Sequence, residues 1–334
     1  MYLWATLGIW LVNMLGRVFF KSQAFRLTRA WPTVFSTQLT ALPGGMTRAD
    51  VFVPAEMKWK PGQHCYLRFP GLAIWDNHPF TVASFPTSED TKEKDGDRRL
   101  TFFIRAQEGF TKKLATSIQL KASTSTHVWV DGPYGGVSIN DTTYDTITLI
   151  AGGSGITACL SWLSHLTQEV QSSKQTISKI SLVWIVRQKA HTNWISAELE
   201  AAKQLLGSEN LAITFYVTDT PRELKKEVNL VKIEEAEKGV AESENSASDE
   251  LGKFHEGRPF IPAILPTLLG QGRNFVVGMS PSRALVDEKL ISVAGCGPES
   301  LKIDVSNACA LAQGQVLRGE VQEVRLLLED FGWG

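Results

Sequence analysis

The chain has 334 residues and a mass of 36.9 kDa, enough for two domains of ordinary size or one large domain. Hydrophobic residues make up 43% of it and charged residues 21%, a globular composition that excludes a disordered or collagenous chain. Because 34 basic residues are matched by 35 acidic ones, the net charge of -1 gives no general attraction to DNA or RNA, and nucleic acid is not an expected partner.

Residues 1–20 are almost entirely apolar. At about 1.5 Å per residue they are long enough to cross the roughly 30 Å hydrocarbon core of a membrane. Basic residues lie at the end of this run and after it, whereas a secretory signal carries them before it. They are Arg17, Lys21, Arg26 and Arg29. We therefore predict a transmembrane helix over residues 1–24, with the rest of the chain in the cytosol. The polar Asn13 leaves an alternative open, an amphipathic helix that lies on the membrane or packs on the globular part.

Between Val34 and Val130, short runs of alternating polar and apolar residues are separated by turns with proline and glycine, a pattern typical of an antiparallel barrel or sandwich. From about Tyr144, apolar strands alternate with glycine turns and amphipathic helices, which indicates a parallel sheet with covered faces. The predicted fold is an antiparallel Greek-key β-barrel (residues 30–136), then a Rossmann-like α/β domain (residues 144–334). One hydrophobic helix precedes them.

Residues 222–256 carry ten acidic and six basic side chains and few large apolar ones. Such a segment cannot bury enough apolar surface to offset the conformational entropy lost on ordering. We predict a solvated, disordered insertion between two strands of the second domain. The alternative is a regulatory segment that recruits partners.

A glycine-rich turn follows the apolar strand at residues 147–150 and leads into a helix. From Gly153 it reads G-x-G-x-x-A, in which glycines let the backbone approach a pyrophosphate at a helix N-terminus. The alternative is a turn that only packs a helix on a strand. The second strand ends in Arg187 instead of an acidic residue, and a guanidinium suits a 2′-phosphate, so we predict NADPH over NADH.

The segment D-N-H-P-F-T-V-A-S at residues 76–84 combines a polar entry, a proline, an aromatic ring and two hydroxyls. On an extended strand Phe80 and Val82 lie on one face and Thr81 on the other. One face can then pack against a flat ring, and the Thr81 hydroxyl can donate a hydrogen bond to that ring. The alternative is an ordinary strand that begins after a turn.

Five segments together resemble the cytosolic part of fungal-type ferric reductases and NADPH oxidases, within the ferredoxin-NADP reductase superfamily. They are HPFTVAS at 78–84, FFIRAQEGFTKKL at 102–114, VDGPYG at 130–135, AGGSGIT at 151–157 and AGCGPESL at 294–301. The resemblance covers about residues 30–334 and depends on all five segments in this order.

The resemblance implies an FAD site on the barrel, with Thr81 near the reactive N5 edge of the flavin and Phe80 against its ring system. It also implies that Arg105 and the turn from Gly109 to Thr111 bind the FAD pyrophosphate. An ordinary β-turn with a surface arginine is the alternative for that element. The FAD-binding residues implied are His78, Pro79, Phe80, Thr81, Val82, Ser84, Arg105, Gly109 and Thr111.

For NADPH, the resemblance implies pyrophosphate binding by the glycine turn, with Arg187 at the 2′-phosphate and the nicotinamide at a C-G-P segment. The residues are Gly152, Gly153, Ser154, Gly155, Ile156, Thr157, Cys296, Gly297 and Pro298. Cys296 has the alternative of a buried cysteine without a chemical role, which we predict for Cys65, Cys159 and Cys309. Four scattered cysteines without zinc spacing indicate reduced thiols in the cytosol.

The chain end is similar to that of relatives in which a terminal aromatic residue covers the flavin. This implies a catalytic role for Trp333, beside Thr81 and Cys296, and favours it slightly over Phe331. Chain ends usually fray, which is the alternative.

The resemblance implies a membrane-anchored flavin oxidoreductase, a ferric-chelate reductase for iron uptake. Hydride passes from NADPH to FAD, and single electrons then pass to a ferric chelate or another one-electron acceptor. Full-length relatives hold haem between paired histidines on several transmembrane helices. All six histidines of this chain follow residue 60, so no haem ligand is assigned. We expect a fragment of a longer reductase, a truncated gene model or a shortened paralogue. Two alternatives stay open: a superoxide-generating NADPH oxidase and a catalytically silent membrane-anchored binding module.

Overall fold

A computed structural model describes residues 2–20, 34–73, 76–84, 98–119, 123–136, 144–172, 177–219, 251–281 and 298–331. The chain divides into two compact units, which are described separately. The first is Met1–Asn140 with Leu160–His165, and the second is Asp141–Cys159 with Leu166–Gly334.

The chain starts with a helix, α1, which spans Tyr2–Phe20. Every side chain described between Leu3 and Leu15 is exposed, and Trp4 retains 74% of its accessible surface. A helix is therefore present where one was predicted. Within the described parts of the chain, none of the helices combines the length and the apolar character that a membrane crossing needs. The predicted transmembrane span at residues 1–24 is not confirmed.

The described part of the first unit contains six strands and, after α1, one further α-helix. They are β1 (Phe35–Leu42), β2 (Met46–Val53), β3 (Gln63–Arg68), β4 (His78–Thr81), β5 (Arg98–Arg105), α2 (Phe110–Gln119) and β6 (Ser123–Gly135). All pairings are antiparallel, in the order β4-β3-β6-β1-β2-β5. Buried and exposed residues alternate along β1, so every second side chain enters the core and the register is set by this pattern.

Hydrogen bonds after β4 join the two edge strands of this sheet. The Ala83 amide donates to the Thr101 carbonyl oxygen over 2.8 Å. The Ser84 hydroxyl donates to the Arg99 carbonyl oxygen over 2.9 Å and accepts from the Thr101 amide over 3.0 Å. Because Arg99 and Thr101 belong to β5, the sheet closes into the predicted barrel, and no unpaired edge is left at this point.

Among its described residues, the second unit contains six parallel strands and four α-helices. The strands are β7 (Thr146–Gly152), β8 (Lys179–Val186), β9 (Leu211–Val217), β10 (Lys253–Glu256), β11 (Arg273–Pro281) and β12 (Glu323–Phe331). The helices are α3 (Ile156–Gln171, of which Leu160–His165 belong to the first unit), α4 (Ser196–Leu206), α5 (Ile261–Leu268) and α6 (Pro298–Leu317). The strand order is β10-β9-β8-β7-β11-β12. The predicted parallel, Rossmann-like sheet is confirmed.

Strand β7 is the point at which this sheet changes its winding direction. The chain runs from β7 through β8 and β9 toward one edge and then returns to β11 on the other side of β7. The carboxyl end of a strand at such a reversal is where open α/β sheets bind ligands. The turn at Gly152 to Gly155 leaves β7 at this place.

An insertion was predicted over residues 222–256, but its last four residues, Lys253–Glu256, form strand β10 and pair with β9. Stacked rings explain this strand: Phe254 lies 4.6 Å from Phe215, and His255 lies 5.1 Å from Tyr216, centroid to centroid. Cross-strand ring pairs stabilise a short polar strand that composition alone classifies as unstructured. Residues 222–250 lie outside the described part of the chain.

Candidate functional site

Strand β4 carries the first predicted cofactor residues, and its pairing with β3 places Thr81 directly opposite His64. Phe80 points into the barrel core and is 9% exposed, and Val82, just after the strand, is fully buried there. Thr81 is half-buried on the outer face. The predicted separation of the two faces is present, but the ring of Phe80 has little surface left for a flavin.

Three aromatic side chains share the outer face with Thr81. The ring centroids of His64, Tyr66 and Tyr134 lie 5.7 to 6.1 Å from one another, and all three residues are half-buried. The Tyr134 hydroxyl donates to the Asp131 carboxylate over 2.5 Å, which holds its ring in place. A half-buried aromatic surface beside a hydroxyl suits the packing of a flat ring. Sequence reasoning missed it because the pairing of β3 with β4 and β6 creates it.

His78 connects β4 with the start of α2. Its ring stacks on Phe110 with centroids 5.0 Å apart and an interplanar angle of 21°, and Phe110 packs on Phe69 at 5.6 Å. Burial lowers the pKa of His78, and the negative charge of Asp76 acts in the opposite direction. His78 thus ties together two segments that were predicted to bind FAD.

The barrel unit is expected to lose stability in mild acid. Burial lowers the pKa of both His64 and His78 in the folded protein. Their full contribution to stability is present above the unfolded pKa of about 6.5 and is lost as the pH falls toward the lower folded pKa, because the unfolded chain takes up protons first. Scanning calorimetry should show a falling Tm below about pH 6.5.

Two variants isolate this effect from the titration of carboxylates. His78→Phe keeps a ring against Phe110 and removes the titrating group, so the fall of Tm with acid should become shallower. The control His127→Phe changes an exposed histidine of β6 and should leave the slope unchanged. Equal slopes in wild type and His78→Phe would show that His78 does not contribute.

The turn before α2 has the features of an anion site. Gly109 has φ +60°, and no atom lies within 4 Å of the position that a Cβ would take. The Thr111 hydroxyl accepts from the Gln107 amide over 3.0 Å and donates to the Glu108 carbonyl oxygen over 3.3 Å, so it closes the turn. The first-turn amides of a helix have no acceptor within the helix. Arg105 is the last residue of β5, the strand that precedes this turn, and its exposed guanidinium adds a positive charge near the turn.

Two other predicted FAD-binding residues have structural roles in the barrel. Ser84 uses its hydroxyl both as donor and as acceptor to the backbone of β5, and Val82 lies in the core. Pro79 is half-buried and lies opposite Tyr66 in the register of β3 and β4. Contacts of these residues with FAD stay predictions.

Two glycines shape the turn after β7, each for a different reason. A Cβ on Gly152 would lie 2.9 Å from Cδ2 of Leu301, so this glycine lets α6 approach the end of the strand. Gly153 has φ +53° and open space around its Cα, so it is required by conformation. The space beside Gly153 is where a bound group can approach the backbone.

Hydrogen bonds turn the carbonyl groups of this turn toward the protein. The Ile156 amide donates to the carbonyl oxygens of Gly153 and Ser154. The hydroxyl of Thr157, which is 6% exposed, donates to the Ser154 carbonyl oxygen over 3.0 Å. Gly155 is buried and leads directly into α3. Thr157 was predicted to bind the coenzyme, and the structure uses its hydroxyl to close the turn.

Two cations follow β8 at the same edge of the sheet as the glycine turn. Arg187 is exposed, and its carbonyl oxygen accepts from the Asp219 amide over 2.8 Å, which holds the end of β8 beside the end of β9. Lys189, also exposed, places Nζ 4.7 Å from the ring centroid of Phe254. Arg187 was predicted from the sequence, and Lys189 was not.

Five of the residues predicted for the nicotinamide contact and the flavin cover lie outside or at the margins of the described residues. Cys296, Gly297 and Trp333 lie outside the described residues. Pro298 is the first residue of α6, and Phe331 is the last residue of β12.

Cys65, Cys159 and Cys309 are free and buried. Burial raises the pKa of Cys309 to about 11, and burial together with the charge of Asp131 raises that of Cys65. Thiols held in the protonated form are poor nucleophiles, which agrees with the packing role predicted for these residues.

Comparison with known protein families identifies both units. Residues 33–138 match an FAD-binding domain, and residues 144–310, half of the chain, match the ferric reductase NAD binding domain. The chain belongs to the ferric reductase family. The resemblance inferred from the five segments is thereby confirmed, and FAD and a nicotinamide coenzyme are the cofactors of this family's two domains.

Two fungal members of the ferric reductase family illustrate the relation. The chain is 30% identical over 219 residues to "Probable cell surface ferric reductase kap2" of Aspergillus oryzae. This alignment covers 65% of this chain and 29% of that protein. It is 27% identical over 363 residues to "Ferric reductase transmembrane component 4" of Saccharomyces cerevisiae, with 99% and 44% covered. The chain thus spans less than half the length of either relative.

Solved structures support the fold. A ferredoxin NADP⁺ reductase from Neisseria gonorrhoeae, determined with bound FAD and NADP, superimposes with a TM-score of 0.51. The superposition covers 89% of this chain and 98% of that one at 14% sequence identity. At this identity the likeness concerns the fold alone.

Proposed function

We propose that this member of the ferric reductase family transfers a hydride from NADPH to FAD and then passes single electrons to a ferric chelate. FAD, when bound, accepts two electrons together and releases them one at a time, as ferric iron requires. The observation that carries the proposal is that each unit has a glycine turn of positive φ in front of a helix, Gly109 before α2 and Gly153 before α3. Each turn suits one of the two pyrophosphates.

The barrel, proposed as residues 30–136, fits FAD by its donors and its aromatic face. Open space at Gly109, the amides that begin α2 and the guanidinium of Arg105 form a donor set for a pyrophosphate. Thr81 lies beside the His64 and Tyr66 rings, so its hydroxyl is placed to donate to the edge of a ring packed there. We assign Thr81 the contact with the N5 edge.

The parallel-sheet unit, proposed as residues 144–334, fits the coenzyme at the carboxyl ends of its strands. Open space at Gly153 gives a pyrophosphate access to the turn amides. Arg187 and Lys189 at the end of β8 give a 2′-phosphate two cationic partners. Cys296 is assigned the nicotinamide contact and Trp333 the cover of the flavin, as the family resemblance implies.

Arg187→Ala should reduce the preference for NADPH over NADH by roughly 10- to 100-fold, because a charge-assisted hydrogen bond contributes about 1.5–3 kcal/mol. The ratio of kcat/KM for the two coenzymes measures this preference. Arg318→Ala is the matched control, since Arg318 is an exposed arginine paired with Glu320 between α6 and β12. An unchanged ratio in Arg187→Ala would contradict the assignment of the 2′-phosphate.

We also propose that α1 attaches the chain to a lipid bilayer, with both units on the cytosolic side. Exposed apolar side chains of α1, such as Trp4 and Trp10, support this, because a large apolar surface in water marks an interaction site. The purified chain should float with phosphatidylcholine vesicles in a density gradient. Recovery of the protein only in the lower, vesicle-free fractions would contradict membrane attachment.

The proposed activity is tested with the purified full chain and added FAD. We expect the protein to retain flavin and to reduce a ferric chelate in the presence of NADPH, with little superoxide formed. A colourless protein that fails to bind FAD would contradict the proposal and favour a binding module. Electron flow mainly to superoxide would identify oxygen as the acceptor and contradict the assignment of ferric iron.

A further inference from the structure

We infer that Trp184 positions the glycine turn so that its amides face the coenzyme pyrophosphate; the inference rests on the NADPH site proposed above. Trp184 lies on β8 and is fully buried. Its indole Nε1 donates to the carbonyl oxygen of Gly153 over 2.9 Å. It therefore acts on the coenzyme through the backbone of the turn.

Packing holds this donor in place. Trp184 lies opposite Ala151 in the parallel register of β7 and β8, so its ring stands next to the end of β7. The rings of Trp194 and Phe215 lie 6.0 and 6.1 Å from it, centroid to centroid. A buried indole N–H without an acceptor is unfavourable, so the position of the ring and that of the Gly153 carbonyl are coupled.

The hydrogen bond determines which way the amides of the turn point. In a trans peptide the carbonyl and the following N–H point in opposite directions. The Gly153 carbonyl points toward Trp184, so the Ser154 amide points away from the indole. The Ser154 carbonyl points toward the Thr157 hydroxyl, so the Gly155 amide points away from Thr157. With both carbonyls bonded to the protein, the turn can offer its amides to an anion.

The conformational freedom of Gly153 makes the hydrogen bond from Trp184 necessary. Gly153 has no side chain to restrict its backbone, so the peptide between Gly153 and Ser154 can rotate and present its carbonyl oxygen to the pyrophosphate. A carbonyl oxygen in that place repels phosphate. The Trp184 N–H, together with the Ile156 amide, selects the orientation that binds.

The test replaces the indole donor and measures binding. We expect Trp184→Phe to weaken NADP⁺ binding about tenfold, the effect of one lost hydrogen bond with its consequences for the turn. Adenosine 2′-monophosphate lacks the pyrophosphate, so its affinity should stay unchanged. Calorimetric titration of the FAD-loaded full chain with each compound separates these effects.

Two further variants make the result specific. Trp194→Phe keeps an aromatic ring against Trp184 and leaves the Trp184 N–H intact, so it should leave the affinity for both compounds unchanged. Benzothienylalanine at position 184 keeps the size and shape of the ring but replaces N–H by sulfur, so it should reproduce the tenfold loss even if Trp184→Phe fails to fold.

Three outcomes would decide the question. Equal NADP⁺ affinity in wild type and the benzothienyl variant would overturn the role of Trp184 and leave the proposed function intact. Equal losses for both compounds would indicate general damage to the unit, which also overturns the inference. A wild-type chain that does not bind NADP⁺ would overturn the proposed function itself.

Discussion

Replacement of Thr81 by valine should slow the reduction of bound FAD by NADPH about 100-fold while FAD affinity changes little, because one preorganised donor at the reacting edge contributes about this factor. Valine matches threonine in shape, and Thr81 stands half-buried on the outer face of β4, opposite His64. The substitution thus removes only a hydroxyl. Rapid mixing under anaerobic conditions gives the rate, and fluorescence titration gives the FAD affinity.

The control for Thr81 is another half-buried threonine of the same barrel. Thr126 lies on β6 and pairs with Thr37 of β1, at a distance along the sheet from β4. Thr126→Val should reduce FAD at the wild-type rate. A wild-type rate in Thr81→Val would remove Thr81 from the reaction, and a loss of FAD binding would make it a binding residue only.

Gly153→Val should weaken NADP⁺ binding roughly 100-fold, because a β-branched residue is strained at φ +53° and its side chain would fill the open space beside the turn. Strain disturbs the conformation that presents the turn amides, and the added methyl groups occupy the place of the pyrophosphate. FAD binding to the barrel unit should not change. Calorimetric titration with NADP⁺ and with FAD measures both affinities.

Gly319→Val separates strain from a role in binding. Gly319 has φ +74° and, like Gly153, no atom within 4 Å of a built Cβ. It precedes β12 and so lies at the amino ends of the parallel strands, whereas the glycine turn lies at their carboxyl ends. Both variants should have a lower Tm, but only Gly153→Val should lose NADP⁺. Similar NADP⁺ affinities in the two variants would mean that Gly153 is required for folding alone.

Local patterns predicted the two sheets well. Buried and exposed residues alternate along β1, as the sequence alternates, and β7 is buried along almost all its length, as an apolar run in a covered parallel sheet should be. The glycine turn was also predictable, because a strand, a glycine turn and a helix follow one another in the sequence at Gly152 to Ile156.

Features that depend on pairing between distant segments could not be predicted. The aromatic face beside Thr81 results from the register of β3 with β4, and the bond from Trp184 to Gly153 results from the pairing of β7 with β8. The acceptors of side-chain hydroxyls were also not predictable: those of Ser84 and Thr157 bond to backbone carbonyl oxygens, and their contacts with a cofactor stay predictions. Sequence shows the donor but not its nearest acceptor.

Direct transfer of hydride within this chain is the central claim, and single-turnover reduction tests it most directly. The FAD-loaded full chain is mixed anaerobically with one equivalent of NADPH, or of NADPH deuterated at either face of C4, while the visible absorbance of the flavin is followed. We expect complete bleaching by one equivalent and a slower reaction with deuterium on one face only. Absence of bleaching, with FAD and NADP⁺ both shown to be bound, would contradict it.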